Sequence, residues 1–192
     1  MNRTATTTAP KQDQFLWNDF QQGSKVAFGR LYQQYYRELL DYGVRHTGER
    51  ELTADCIQDF FLYVWSHWEN LSKAQSIRIY LLTSYRRRLF RYLEKKRKGD
   101  YRRDEFGLQS YNESPSTEQN IISGEEEAYR VVLVKKLLTK LSPRQREVVY
   151  LRYFQGLSPN EISQVMGISY QTVVNHLCEA IKSLRTKVQK IA

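Results

Sequence analysis

The chain has 192 residues, of which 41% are hydrophobic. This is enough for one large or two small domains with a packed core, and it argues against wholesale disorder. The formal net charge of +9 favours a polyanionic partner, either nucleic acid or an anionic membrane surface. No apolar run approaches the roughly 20 residues that span a bilayer. The N-terminus also lacks the apolar stretch of a secretory signal, so a cytoplasmic protein is expected.

The first 98 residues are predicted to form a tail and a helical domain. Residues 1–13 resemble a flexible tail, and residues 14–98 show helical periodicity without the alternation that is typical of strands. The first helix is expected to pack through Val26, Phe28, Leu31, Tyr35, Leu39 and Tyr42. A second helix, over residues 52–68, has Ile57, Phe60, Phe61, Val64, Trp65 and Trp68 as its apolar stripe. A third helix is expected over residues 77–96.

The third helix carries a concentration of positive charge. Its cations are Arg86, Arg87, Arg88, Arg91, Lys95, Lys96, Arg97 and Lys98. Basic groups can hold phosphates, and the interleaved Tyr85, Tyr92 and Tyr101 can stack on unpaired bases. Phe90 is instead expected in the core. We interpret this helix as a nucleic-acid-binding surface, and a solvated basic face is the alternative.

A change in composition separates this domain from a second one. Residues 99–124 are polar and lack a sustained period, which predicts a flexible linker. The second helical domain covers residues 125–192, and its run of three glutamates from Glu125 suits a helix N-terminus. The core face of that first helix is expected to be Val131, Val132, Val134, Leu137, Leu138 and Leu141. The chain is therefore predicted to be all-α, with two helical domains.

The helix signals in residues 141–185 have the spacing of a helix-turn-helix. Ser142 and Ser158 each precede a proline, with Gln145 or Glu161 three residues after the serine, which is the pattern of a capping box. Gly156 and Gly167 stand where each helix must end in a left-handed turn. Ser169 is then expected to cap a third helix. A short helix, a tight turn and a longer helix can place the last one in a DNA major groove.

The last helix has an apolar and a polar face. Val173, Leu177, Ala180, Ile181 and Leu184 share one side at the helical period. The candidate DNA contacts are Gln171, Thr172, Asn175, His176, Cys178, Glu179 and Lys182. Gln and Asn can make paired contacts to adenine, Lys or His can reach guanine or phosphate, and Glu can accept from cytosine. Glu179 can equally be a solvent-exposed acid.

The cysteines give no sign of a metal site. Cys56 and Cys178 are far apart, and neither stands in a CxxC or at zinc-ligand spacing from histidines. Free thiols are expected, because disulfides are rare in a reducing cytosol. We find no nucleophile motif either, so no catalytic residue, cofactor or small-molecule substrate is predicted.

Two separated segments resemble bacterial sigma factors. Residues 55–65, DCIQDFFLYVW, are similar to the sigma segment E-D-L-V-Q-E-x-F-L-x-x-W, and the helix-turn-helix is similar to the promoter-binding fourth domain. The small size, with two helical domains and one linker, resembles the extracytoplasmic-function (ECF) group. The resemblance covers residues 20–98 and 125–188.

The resemblance implies roles for particular residues. Asp55, Gln58 and Asp59 would contact the clamp helices of core RNA polymerase, with Phe61 and Trp65 in the core. The loop over residues 70–76 and the basic helix would capture the melted minus-ten element of promoter DNA. The residues assigned to that role are Asn70, Ser72, Lys73, Arg86, Arg87, Arg91 and Lys95. The last helix would read the minus-thirty-five element, and the linker would pass near the active-site and RNA-exit channels. An anti-sigma factor, often membrane-bound in this group, is an expected partner.

The chain departs from the family pattern at both DNA-contacting helices. Arg87 and Arg91 stand where Asn and Asp are usual, and Val174, Asn175 and His176 replace the frequent Lys or Arg, Ser and Arg. The sequence TVVNHL also resembles regulators of the LuxR type, which read T-V-K-N-H-L. A LuxR-type regulator acting without polymerase is therefore the alternative, although it would need an α/β receiver or a ligand domain. A nucleic-acid enzyme is a third hypothesis, motivated by the basic aromatic helix.

Overall fold

The computed structural model describes residues 10–71, 74–103 and 137–189, with the side chains of residues 10–12, 98–103 and 188 left out. These residues form seven α-helices and one short 3-10 helix, with no strand among them, which confirms the all-α prediction. The chain divides into two compact units, Met1–Ser116 and Thr117–Ala192. That boundary lies inside the range predicted to be a linker. None of the helices in the described ranges has the length and apolarity needed to cross a membrane.

The helix over Lys25–Thr47 lies at the centre of unit 1. Its described elements are α1 (Pro10–Phe20), α2 (Lys25–Thr47), α3 (Arg50–Ser66), a 3-10 helix (Trp68–Asn70) and α4 (Ile77–Arg103). Helix α2 packs against α1, α3 and α4, and α3 also packs against α4. Helix α4 extends seven residues past the predicted end at residue 96, into the range predicted as linker.

Helix α1 is an element that the periodicity did not reveal. It begins at Pro10, so the tail prediction does not hold for residues 10–13. Trp17 and Phe20 are fully buried, and the Asp13 carboxylate accepts hydrogen bonds from Gln34 Nε2 at 2.7 Å and from the Tyr35 hydroxyl at 2.6 Å. Two buried rings and these two bonds hold α1 against α2.

The predicted apolar faces of α2 and α3 form most of the core of unit 1. Leu31, Tyr35, Leu39 and Tyr42 of α2 are buried, as are Ile57, Phe60, Phe61 and Val64 of α3. Trp65 is half-buried and packs on Phe28, with ring centroids 5.0 Å apart. Val26 is exposed, contrary to the prediction. At 100° per residue it points away from the face that Leu31 and Leu39 share.

Unit 2 contains the predicted helix-turn-helix. Its described helices are α5 (Pro143–Tyr153), α6 (Pro159–Met166) and α7 (Tyr170–Val188), and α7 packs against both of the others. Leu137 and Leu141 are buried and Leu138 is partly buried. The remainder of the predicted helix from Glu125 lies outside the described residues.

Local sequence determines the ends of these helices. Both capping boxes form, since Ser142 and Ser158 accept from the backbone N–H of Gln145 and Glu161, whose side chains accept in return. Ser169 accepts from the Thr172 N–H at the start of α7. Gly156 and Gly167 adopt φ of 70° and 66°, a conformation that costs glycine little. These five end signals are confirmed.

Candidate nucleic-acid interface

Helix α7 presents one straight stripe of exposed polar side chains. Gln171, Asn175, Cys178 and Lys182 recur at four-, three- and four-residue intervals, and all four are exposed. On the opposite side Val173 and Ala180 are fully buried, while Leu177, Ile181 and Leu184 are partly buried. The apolar side therefore anchors α7 to its unit, and the stripe remains accessible to a major groove.

Within the stripe, the side-chain amides of Gln171 and Asn175 form a hydrogen bond. The Gln171 Nε2 donates to the Asn175 Oδ1 at 3.0 Å. Both amides lie in the first two turns of α7, which is the part of a recognition helix that contacts base edges.

Three other predicted contacts on α7 lie beside the stripe. Thr172 is partly buried, and its hydroxyl is 2.8 Å from the Ser169 Oγ, where it contributes to the cap. Glu179 is exposed, but its carboxylate accepts from the Gln145 Nε2 at 3.1 Å and so links α7 to the N-terminal cap of α5. His176 is partly buried. Thr172 and Glu179 thus also make contacts within unit 2, and base contact by these three residues stays a prediction.

On α4 the cations are divided between the core and the surface. Arg87, Arg91 and Lys95 are exposed and recur every four residues, which puts them on one side of the helix. Arg86 is only 9% exposed, and its guanidinium lies 4.7 Å from the centre of the Phe90 ring. The assignment of Arg86 as a DNA contact is therefore wrong for this structure, because its charge is packed over an aromatic face.

The aromatic residues of this region also differ from the prediction. Tyr85 is fully buried, so it is a core residue, and burial raises the pKa of its hydroxyl. Tyr92 is exposed, while the side chain of Tyr101 lies outside the description. Sequence reasoning missed Tyr63 of α3, which is 46% exposed. Its ring stacks on His67 at 4.1 Å and lies 5.1 Å from the Arg88 guanidinium, giving a cation beside an exposed tyrosine.

Helix α3 exposes the three residues predicted to contact polymerase. Asp55, Gln58 and Asp59 are all exposed and share one face. Leu62 extends this face by one turn and is 65% exposed. Sequence reasoning missed Leu62, although its spacing of three residues from Asp59 was a usable signal. We call these four residues the α3 face.

The segment after α3 is fixed at its start by the turn between α1 and α2. Asn70 is exposed at the end of the 3-10 helix. The Gln21 Nε2 donates to the Leu71 carbonyl at 2.7 Å, and Trp68 lies against Gly23, whose φ is 84°. The predicted contacts Ser72 and Lys73 lie outside the described residues.

Both cysteines are free thiols. Cys56 is buried, and burial raises the pKa of its thiol, whereas Cys178 is exposed on the α7 stripe. Within the described ranges, the His, Cys, Asp and Glu residues form no group that could hold a metal ion.

Two family profiles match the chain, one in each unit. The profile described as sigma-70 region 2 matches residues 31–99, and the one described as sigma-70, region 4 matches residues 132–184. The RNA polymerase sigma factor YlaC of Bacillus subtilis is 31% identical over 166 residues, which cover 83% of this chain and 91% of YlaC. The ECF RNA polymerase sigma factor SigL of Mycobacterium tuberculosis is 27% identical over 162 residues, covering 84% of this chain and 88% of SigL.

Two solved structures share the fold of this chain. The structure of CnrH in complex with the cytosolic domain of CnrY aligns with a TM-score of 0.62 at 20% identity, over 94% of this chain and 99% of CnrH. RpoE of Bartonella quintana, solved with the anti-sigma factor NepR, aligns with a TM-score of 0.62 at 17% identity, over 84% and 96% of the two chains.

A helix-turn-helix in one unit and a region-2 helix set in the other, with only helices in the described ranges, define a DNA-binding transcription initiation factor. The chain belongs to the sigma-70 family of RNA polymerase sigma factors, within its ECF group. Members of this group direct core polymerase to promoters, so the predicted function as an ECF sigma factor is confirmed. The LuxR-type alternative is not favoured, since the described part of unit 1 is helical and matches sigma region 2.

Proposed function

We propose that three surfaces of this chain divide the work of initiation. The α3 face binds core RNA polymerase, the α7 stripe reads the minus-thirty-five duplex, and α4 with Asn70 holds the melted minus-ten strand. The observation that carries the proposal is the separation of charge in unit 1. Exposed carboxylates lie on α3, at Asp55 and Asp59, and exposed cations lie on α4, at Arg87, Arg91 and Lys95.

The chemistry of each surface suits its assigned partner. An exposed leucine among carboxylates and an amide is typical of a protein interface, where an apolar anchor is surrounded by polar groups. A row of cations on a helix that also exposes Tyr92 suits single-stranded nucleic acid, which is bound through phosphates and stacking. Amides on a helix-turn-helix suit base edges in a duplex. We assign the chain no catalytic role, since binding accounts for all three surfaces.

The polymerase contact can be tested by reversing one charge on the α3 face. Asp59→Lys should weaken binding to core polymerase on the order of ten-fold, because a lysine would place the wrong charge in the interface. Asp41→Lys is the matched control, since Asp41 is an exposed aspartate on α2 outside this face. Competition between tagged wild type and each variant for a limiting amount of core measures the effect. Equal loss in both variants would contradict the assignment.

We further propose that an anti-sigma protein regulates the chain in the cytoplasm, where polymerase works. The support is similarity, since the Bartonella quintana RpoE was solved with the anti-sigma factor NepR, and CnrH was solved with the cytosolic domain of CnrY. Purification of the tagged chain from its native cell, followed by competition with core polymerase, tests this. A captured protein that leaves core binding unaffected would contradict a regulatory role.

A further inference from the structure

We propose that Gln171 and Asn175 read one adenine as a single unit, in which Gln171 orients the amide of Asn175. The inference rests on the proposed reading of the minus-thirty-five duplex by α7. It assigns Gln171 as a positioning residue and Asn175 as the residue that touches the base.

The hydrogen bond between the two amides leaves a defined set of groups for DNA. The Asn175 Oδ1 accepts from the Gln171 Nε2 at 3.0 Å, which uses one of its two lone pairs. The other lone pair and both protons of Nδ2 remain for a base. An asparagine recognises adenine with this combination, accepting from N6 and donating to N7.

The same hydrogen bond decides the direction in which the asparagine amide faces. If Asn175 turned over alone, its Nδ2 would meet the Gln171 Nε2, and two donors would oppose each other. As long as the Gln171 Nε2 faces Asn175, the order of acceptor and donor along the groove is therefore fixed. Reversal of that order would set the donor against adenine N6 and the acceptor against N7, and both contacts would be lost.

The neighbours on the stripe lack this combination. Lys182 has only donors, and the Cys178 thiol is a weak donor and a weak acceptor. The Thr172 hydroxyl, beside the stripe, is engaged with Ser169 at 2.8 Å. Since Gln171 and Asn175 are both exposed, this bond adds little to the stability of the free protein, and its effect is expected mainly in the complex with DNA.

The experiment uses holoenzyme reconstituted from core polymerase and the full chain. The duplex probes are mismatched at the minus-ten region and randomised at the minus-thirty-five region, and the bound fraction is sequenced. We expect wild type to select an adenine at one position of the minus-thirty-five region. Asn175→Ala should reduce the preference for adenine at that position on the order of ten-fold. Gln171→Ala should lose part of the same preference at the same position. The double variant should lose no more than Asn175→Ala.

Gln171→Glu gives a sharper test of orientation. A carboxylate can only accept, so Asn175 must turn its Nδ2 toward it, and the adenine preference should disappear rather than weaken. Gln164→Glu is the control for added negative charge, because Gln164 is exposed on α6 outside the stripe. It should weaken binding to all sequences alike.

Modified bases check the contact directly. Replacement of the selected adenine by 7-deazaadenine removes the N7 acceptor, and it should weaken binding by wild type but not by Asn175→Ala. The inference is overturned if Gln171→Ala alters a different base pair and its effect simply adds to that of Asn175→Ala, or if neither variant changes any preference. A wild-type holoenzyme without any minus-thirty-five preference would instead contradict the proposed function.

Discussion

At Gly43 the long helix α2 has no room for a side chain. A Cβ built there would collide with the Thr53 Cγ2 and the Tyr85 hydroxyl, so α3 and α4 both approach this one residue of α2 closely. Nothing in the sequence indicates this close approach, because a glycine inside a helical pattern looks only like a weak helix former. The burial of Arg86 was missed as well, although Phe90, whose ring lies under its guanidinium, stands four residues later on the same helix.

Gly43→Ala should lower the free energy of unfolding by about 1–3 kcal/mol, the usual cost of overpacking a core. The matched control is Gly29→Ala in the same helix, where a Cβ would meet no atom of the described chain within 4 Å. That change should raise stability by about 0.5–1 kcal/mol, since alanine is the better helix former. Urea unfolding measures both. A Gly43→Ala variant as stable as Gly29→Ala would show that the helices can separate at little cost.

The exposed arginines of α4 should control the salt dependence of promoter opening. The double change Arg87→Asn and Arg91→Asp, to the usual family residues, should weaken opening and flatten the plot of log affinity against log salt, because fewer counterions are released. Arg30→Asn on α2, also exposed, controls for lost charge. Holoenzyme binding across a salt series measures the slope. An unchanged slope in the double variant would mean that these arginines face solvent in the complex.

At the scale of the helix, α2 and α4 are joined by a partly buried ion pair. The Arg78 Nε donates to both oxygens of Glu38, at 2.8 and 3.1 Å. Burial raises the pKa of Glu38, and the nearby Asp41 adds to this, while Arg78 acts against it. The carboxylate is therefore held in its charged form mainly by one guanidinium from another helix.

The loss in free energy of unfolding caused by Arg78→Met should grow as the pH rises. Without the guanidinium, the folded pKa of Glu38 should rise further above its unfolded value. An acid whose pKa is raised by folding stabilises the fold below its unfolded pKa, and this contribution is lost as pH rises through the folded pKa. The variant should therefore lose more stability relative to wild type at about pH 8 than at about pH 5. Urea unfolding at both pH values measures this, with exposed Arg87→Met as the control. A loss that is equal at both pH values, or larger at the lower one, would contradict it.

Helix ends could be predicted in unit 2 because their signals are local. Ser142, Ser158 and Ser169 each bond to a backbone N–H three residues later, so sequence spacing and structure coincide. Helix α1 was missed for the opposite reason. It buries Trp17 and Phe20 against residues far along the chain, including Tyr80, and a helix so short shows little period of its own.

For the whole molecule, the sequence predicted the class of protein and the helix faces that carry the proposed contacts. Two helical units, three of the four residues of the α3 face and the α7 stripe follow from periodicity and from the resemblance to sigma factors. The ring contacts of Tyr63 and the link between Glu179 and Gln145 could not be predicted, because each depends on which side chains meet after folding. Sequence spacing assigns a residue to a face of a helix, while packing decides whether the residue contacts a partner or supports its neighbours.

We propose that this one chain reads two separate promoter elements as a subunit of polymerase. Transcription by core polymerase plus the purified chain, from a template pool randomised upstream of the start site, tests this when the templates that yield transcripts are sequenced. We expect two conserved blocks, near minus thirty-five and minus ten, with transcription lost when either block is scrambled or when the chain is omitted. Transcripts without a second conserved block, or sequence-specific duplex binding by the chain with no polymerase-dependent initiation, would contradict it.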